Sequence, residues 1–320
     1  MRRVRVATTA RLHLGFLDLN GNLGRRFGSI GVSIDAFETA VELRDGAAFQ
    51  ALGHERERSA ALAMRIAEYL HVDAARILTV ADAIPAHVGL GSGTQLAMAI
   101  AAAFRAFSGL PPDPLDDARR LERGARSGVG VALFERGGLV VDAGRGPRAD
   151  PPPVVSWLAV PEEWRILLVM DRRVVGVHSE EERRAFAALP HFPAEAAGEI
   201  CRRTLMQVLP GLAERDLDAF GDGIARIQEI VGDHFAHVQG GRFTSPAVGR
   251  VAERLKSLGA RGVGQSSWGP TGFAFARDTD EAKFLAAQAG AEAETGVEII
   301  VCRALNHGAQ IEADKLVSQR

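Results

Sequence analysis

Hydrophobic and polar positions change their period several times along the chain, and each change marks an element. Val4 and Val6, then Leu12 and Leu14, then Thr39 to Leu43 alternate with polar neighbours, which predicts short strands. Asn20-Gly21 is a tight-turn signal between two of them. From Glu57 to Leu70 the period becomes helical, with Leu62, Ile66, Tyr69 and Leu70 on one face. Ile77 to Val80 predicts a strand feeding a Gly-rich segment, after which Leu96, Ile100, Phe104 and Phe107 recur at helical spacing. Leu139 to Asp142 and Arg165 to Met170 read as strands. Leu217, Phe220, Ile224, Ile227 and Val231 form the clearest amphipathic helix, and Val248, Val251, Leu255 and Leu258 a second. Thr271 to Ala276 and Val297 to Cys302 are the last two strands. Strands and helices mix in both halves, so the expected class is α+β. The stretch Asp150 to Pro153, with three prolines, excludes regular structure there and places a domain boundary, giving domains 1–155 and 156–320.

Composition narrows the function. With 47% hydrophobic and 24% charged residues and a net charge of −2, the chain fits a globular enzyme. It offers no electrostatic case for nucleic acid or an anionic membrane. Its longest apolar run, Leu96 to Phe104, is far short of the ~20 residues needed to span a bilayer, so a soluble, cytoplasmic protein is expected. Cys201 and Cys302 make no metal-ligand spacing and read as reduced thiols. Lys256, Lys283 and Lys315 are the only lysines. An anion clamp in the first 255 residues must therefore use Arg, His or backbone N–H, and Arg suits bidentate recognition of phosphate or carboxylate.

Three segments carry chemistry. In Pro85 to Gln95, Gly89, Gly91 and Gly93 alternate with unshielded backbone, Ser92 and Thr94 add hydroxyls, and a helix follows. This lets a polyanion approach main-chain N–H groups at the positive end of a helix. It is not a Walker loop, since no Lys follows, nor a dinucleotide fingerprint. In Ala10 to Gly21, strand alternation puts Arg11 and His13 on one side and Leu12 and Leu14 on the other, with Asp18, Asn20, Arg25 and Arg26 close by. A solvent-facing Arg-His pair is the bland alternative. In Gly262 to Gly272, glycines, Gln265 and Ser266 surround Trp268, which is either core or the wall of an aromatic pocket. His178 is the one member kept from the charged stretch Asp171 to Glu181.

In this order the Ala10–Gly21 segment, the Pro85–Gln95 loop and the Gly262–Gly272 loop resemble the three motifs of the GHMP superfamily of small-molecule kinases. The resemblance covers nearly the whole chain. It implies an N-terminal domain like ribosomal protein S5 domain 2, carrying the phosphate loop, a ferredoxin-like C-terminal domain, and a homodimer. Many of these kinases have a Ser-Gly-Ile-Asp segment whose Asp activates the substrate hydroxyl. Here Ser127, Gly128 and Val129 are followed by Gly130. Without that carboxylate an ordinary phosphoryl transfer loses its base.

Arg11 to Gly21, Arg26 to Gly31, Arg126 to Gly144 and Gln265 to Pro270 are similar to one atypical branch, the decarboxylating ribosyl-phosphate synthases of tetrahydromethanopterin biosynthesis. That likeness implies transfer of ribose 5-phosphate from phosphoribosyl diphosphate to 4-aminobenzoate or 4-hydroxybenzoate, with loss of diphosphate and CO2. Mg²⁺ would accompany the donor, and no organic cofactor is expected. Under that reading Gly89, Gly91, Ser92, Gly93 and Thr94 bind phosphate, with Arg11, Arg25 or Arg26 supplying charge. Asp18 and Asp142 are candidates for the oxocarbenium partner or for Mg²⁺. His13 or His178 is the candidate base, and Trp268, Gln265 and Ser266 form the aromatic-acid pocket. An ATP-dependent GHMP kinase acting on a small alcohol and a non-catalytic ligand sensor are the alternatives.

Overall fold

The computed structural model describes residues 2–147, 151–176 and 179–314. Its first half contains β1 (Arg3–Asp18), β2 (Phe27–Asp45), β3 (Gln50–Gly53), α1 (Arg56–Leu70), β4 (Arg76–Asp82), α2 (Ser92–Ser108), α3 (Pro114–Arg120), α4 (Val129–Arg136) and β5 (Leu139–Asp142). Then follow β6 (Val154–Leu158), β7 (Arg165–Asp171), α5 (Ser179–Ala188), α6 (Ala194–Arg203), α7 (Leu209–Ala213), α8 (Leu217–Gln239) and α9 (Pro246–Ser257). The chain closes with β8 (Arg261–Gln265), β9 (Gly272–Ala276), α10 (Thr279–Gly290), β10 (Val297–Cys302) and β11 (Gln310–Asp314).

The first sheet runs β11-β1-β2-β4-β3, with β5 and β6 continuing from the other end of β2. Strand β6 spans residue 155, and β11 brings residues 310–314 back beside β1. The second sheet is antiparallel in the order β10-β7-β9-β8. Its strands are reached as β7, helices, β8, β9, α10, β10, which is the ferredoxin-like arrangement expected for the C-terminal half.

Where short strands were expected near Val4 and Leu12, the chain instead makes one strand, β1. The alternation persists throughout, but β-bulges at Thr9/Ala10 and His13/Gly15 break its register with β2. A bulge re-aims the side chains that follow it. Val4 and Val6 pack under α1 and α2, whereas Ala10, Leu12, Leu14 and Phe16 join a core shared with β7, α8 and β9. The same change of face turns Arg11 toward the Gly-rich loop. Helix α2 lies across β1 and β2 with Leu96, Ile100, Phe104 and Phe107 all buried. Truncating Phe104 to Ala would cost about 3–5 kcal/mol.

Candidate active site

Strand β4 ends at Asp82, and the chain reaches α2 through the Gly-rich loop. Gly89 and Gly91 have φ of +83° and +81°, a backbone that residues with a Cβ avoid. The Gly91 carbonyl accepts from the amides of Thr94 and Gln95. The helix has no side-chain N-cap and no acidic residue in its first turn. Its positive end and the first two amides, of Ser92 and Gly93, therefore face outward for an anion.

All three sequence motifs meet at the carbonyl of Gly89. Arg11 donates to it from Nη1 at 2.7 Å, and Ser266 Oγ donates to it at 2.7 Å. Ser266 Oγ in turn accepts from the backbone N–H of His13 at 3.0 Å, and the Arg11 amide donates to Leu90. A Cβ on Gly91 would lie 2.9 Å from Arg11 Cγ, so the glycine is what lets the arginine lie along the loop.

Two residues further along β1 the surroundings change. His13 is 3% exposed, and its Nε2 has no hydrogen-bond partner among the described residues. Burial, helped by the Arg11 charge, lowers its pKa to about 3, so the ring is neutral at physiological pH. Its ring centroid is 4.5 Å from that of Phe16. Phe235 and Trp268 stand edge to face at 4.7 Å, and Phe186 meets Trp268 at 5.0 Å. His13, Phe16, Phe235, Trp268 and Arg242 line a cavity of about 20 Å³. That holds roughly one water, so a benzoate ring enters only if an aromatic wall shifts.

Gln265 scaffolds its loop: its Oε1 accepts from the Thr244 amide at 2.7 Å, and its own amide donates to Gln228 Oε1 at 2.8 Å. Gln228 Nε2 donates to the Leu14 carbonyl at 2.8 Å, tying the loop to β1.

The acidic candidates sit elsewhere. Asp18 Oδ1 accepts the amides of Asn20 and Gly21 at 2.7 and 2.9 Å and closes the turn after β1. Arg26 donates to the Leu19 carbonyl at 3.1 Å and stacks over Phe27, while Arg25 reaches the carbonyls of Ala143 and Gly144. Asp18 lies seven positions beyond Arg11 on β1, up to ~23 Å of extended strand. Asp18, Arg25 and Arg26 therefore form a group apart from the loop. Asp142 is fully buried and accepts the amides of Gly128 at 2.9 Å and Gly144 at 2.8 Å. Burial raises its pKa to about 6 against the opposing pull of those amides. It anchors the turn into α4. His178 lies outside the described residues.

Gly130 is packed, not vacant. Its carbonyl accepts from Gln95 Nε2 at 2.9 Å, and a Cβ there would lie 3.0 Å from Thr94 Cγ2. An Asp at this position would press on the phosphate loop. Among the described residues no group of three His, Cys, Asp or Glu side chains could hold a metal ion, and no helix is long and apolar enough to cross a membrane. Arg58, Arg123, Phe16, Phe186, Phe235 and Gln228 are the site's neighbours that the sequence motifs did not mark. Only Phe16 lies inside a motif; Arg58 comes from α1, Phe186 from α5, Gln228 and Phe235 from α8, and Arg123 from the connection before α4.

The chain matches the family described as GHMP kinases N terminal domain over residues 57–138 and that described as GHMP kinases C terminal over residues 208–294. It belongs to the GHMP superfamily, in the group of a curated relative from Archaeoglobus fulgidus named beta-ribofuranosylphenol 5'-phosphate synthase, to which it is 34% identical over 97% of this chain and 99% of the relative. A relative of the same name from Methanothermobacter thermautotrophicus is also 34% identical, over 95% of this chain and 97% of its own. The crystal structure of homoserine kinase from Cytophaga hutchinsonii shares the fold, with a TM-score of 0.68, 17% identity and coverage of 97% of both chains.

Proposed function

We propose that this chain is a decarboxylating ribosyl-phosphate transferase. It takes ribose 5-phosphate from phosphoribosyl diphosphate and joins its C1 to the ring carbon of 4-hydroxybenzoate that carries the carboxylate. Diphosphate leaves from C1, the ring carbon attacks, and CO2 departs with its bonding electrons returning to the ring. Aromaticity is restored without an organic cofactor. The observation that carries this reading is the meeting of two unlike subsites on one strand, an open helix end with Arg11 beside it and an aromatic enclosure around a neutral His13. The relatives' name specifies a phenol product, which favours 4-hydroxybenzoate over 4-aminobenzoate.

Each group has a physical role. The amides at the head of α2 and Arg11 stabilise the charge that develops on the departing phosphate. Mg²⁺ brought with the donor would add positive charge against the departing diphosphate; among the described residues no group of three His, Cys, Asp or Glu side chains would hold it. His13, with its proton on Nδ1, accepts a hydrogen bond from the para hydroxyl at Nε2. That pushes electron density toward the attacking carbon, as a neutral ring in a dry site can do. Phe16, Phe235 and Trp268 hold the ring by its faces and edges. Asp18, at the far end of β1, and Arg26, just before β2, act on a part of the substrate remote from the loop.

Incubating the purified protein with phosphoribosyl diphosphate, Mg²⁺ and each carboxyl-labelled benzoate tests the proposal. Labelled CO2 is expected with 4-hydroxybenzoate. Absence of release with both acids would sink it, and ATP consumption with a small alcohol would favour the kinase reading instead.

A further inference from the structure

Beyond Arg11, a second set of arginines crowds the other flank of the loop. A Cβ at Gly93 would run into Arg58 Nη2 and lie 3.8 Å from Arg123 Nη1, so both guanidiniums overhang the second residue of α2. Arg58 comes from the first turn of α1 and Arg123 from the connection between α3 and α4, so the fold alone brings them together. Their neighbours are unequally compensated. Arg58 has Glu55 at 3.5 Å, and Arg65 has Glu122 at 2.8 Å. Arg123 is half-buried, its Nε is closed off from solvent, and no hydrogen-bond partner meets that nitrogen among the described residues. Burial and the charges of Arg58 and Arg65 push its pKa below the usual arginine range.

Such an arrangement weakens the empty protein. A partly desolvated guanidinium beside two others, offset only in part by Glu122, which is itself paired with Arg65, is unfavourable unless an anion is present part of the time. The anion must be multidentate and strongly charged, because two forks and the two free amides at the head of α2 converge there. Phosphate chains have that form.

We propose that Arg58 and Arg123 form the diphosphate subsite at the head of α2, donating to the phosphate oxygens that the Ser92 and Gly93 amides also bind. The subsite rests on the ribosyl-transfer reading only for the identity of the diphosphate's carrier. With these cations it supplies charge that the missing lysines of the first 255 residues do not.

Isothermal titration of the full chain with inorganic diphosphate, phosphoribosyl diphosphate and ATP, each with Mg²⁺, tests it. Wild type should bind inorganic diphosphate, and Arg123→Gln and Arg58→Gln should each weaken this at least tenfold. Arg123→Lys should recover part of the loss, and Arg65→Gln should stay within threefold of wild type. The unliganded Arg123→Gln protein should melt at the wild-type temperature or above it, which a merely structural arginine would not allow. Undiminished diphosphate binding by both Gln variants overturns the subsite, as does an equal loss in Arg65→Gln, which would signify bulk charge only. The carrier is decided separately. Arginine-dependent binding of ATP, with none of phosphoribosyl diphosphate, would keep the subsite and overturn the ribosyl donor.

Discussion

Arg11 and His13 are neighbours on the same face of β1, yet they stand in opposite solvents. Arg11 lies along a loop of exposed amides and among other cations, where charge and hydrogen-bond donors decide what binds. His13 sits in an aromatic enclosure, uncharged, with Nε2 unused and almost no free volume around it. The first region suits a leaving group that gathers negative charge. The second suits a flat ring whose reactivity depends on one hydrogen bond. A group-transfer enzyme needs both within one substrate's reach, and two residues of one strand in unbroken register with β2, Arg11 opposite Ser33 and His13 opposite Gly31, supply them about 7 Å apart. The contrast also says which ligand should feel which mutation.

The largest effect expected is on the dry side and appears in stability. The folded protein holds His13 near pKa 3, while the unfolded chain takes up a proton below about pH 6.5. A lowered histidine pKa means stability present at neutral pH is lost as pH falls from about 6.5 toward 3, by about 5 kcal/mol at the acid limit. Urea midpoints measured across that range should show the loss in wild type and a flatter acid limb in His13→Asn. Identical limbs would mean the ring is not held neutral. Next in size is Arg11→Ala, which removes both a cation and the anchor of the Gly89 carbonyl. A fall of about 10³ in kcat/KM for phosphoribosyl diphosphate is expected, ~4 kcal/mol of transition-state stabilisation. If the defect fell instead on the KM for the benzoate, the division between the two regions would be wrong.

Much of this was legible before any fold was known, and the reasons are specific. The α2 stripe and the α8 stripe are deep amphipathic patterns, so their helices follow from spacing alone. Strand β11 is exposed at every residue and carries no pattern; only its pairing with β1 makes it a strand. The extent of β1 was hidden because its two halves pack into different cores, Val4 and Val6 against α1 and α2 and Ala10 to Phe16 against β7, α8 and β9, so one strand reads as two. In the site, Arg11, His13 and the glycines stand inside motifs. Asp18 and Arg26 look like part of the same group because they are close in sequence, yet an extended strand carries them away from the loop. The reverse holds for Arg58 and Arg123, far apart in sequence and indistinguishable in a chain whose cations are nearly all arginine. The enclosure of Phe16, Phe186, Phe235 and Trp268 draws one ring each from four segments, which no local pattern encodes.

Asp142 tests whether the acidic candidates belong to either region. Both its oxygens are taken by buried amides, Oδ2 by that of Gly128 at the turn into α4 and Oδ1 by that of Gly144 just after β5. Asp142→Ala should therefore cost about 3 kcal/mol by leaving two backbone donors unsatisfied, read as a lowered denaturant midpoint. Asp142→Asn, which keeps one acceptor, should retain activity within tenfold in the CO2-release assay. A loss of 10³ or more in a folded Asn variant would give the carboxylate a direct part in the chemistry.

The smallest effect separates backbone strain from site geometry. Gly91 and Gly109 cap opposite ends of α2 with φ of +81° and +72°. A left-handed backbone costs an ordinary residue about 1 kcal/mol wherever it occurs, so Gly91→Ala and Gly109→Ala should destabilise the protein similarly. Their surroundings differ. A methyl at 109 meets nothing within 4 Å, whereas one at 91 lies 2.9 Å from Arg11 Cγ and must push that side chain off the loop. Gly91→Ala should therefore raise the KM for phosphoribosyl diphosphate about tenfold while Gly109→Ala leaves it unchanged, and neither should move the KM for the benzoate. Equal behaviour of the two variants in steady-state kinetics would mean that Arg11 reaches the phosphates without resting on the loop. The charged region would then be set by the arginine's length and not by the glycine beneath it.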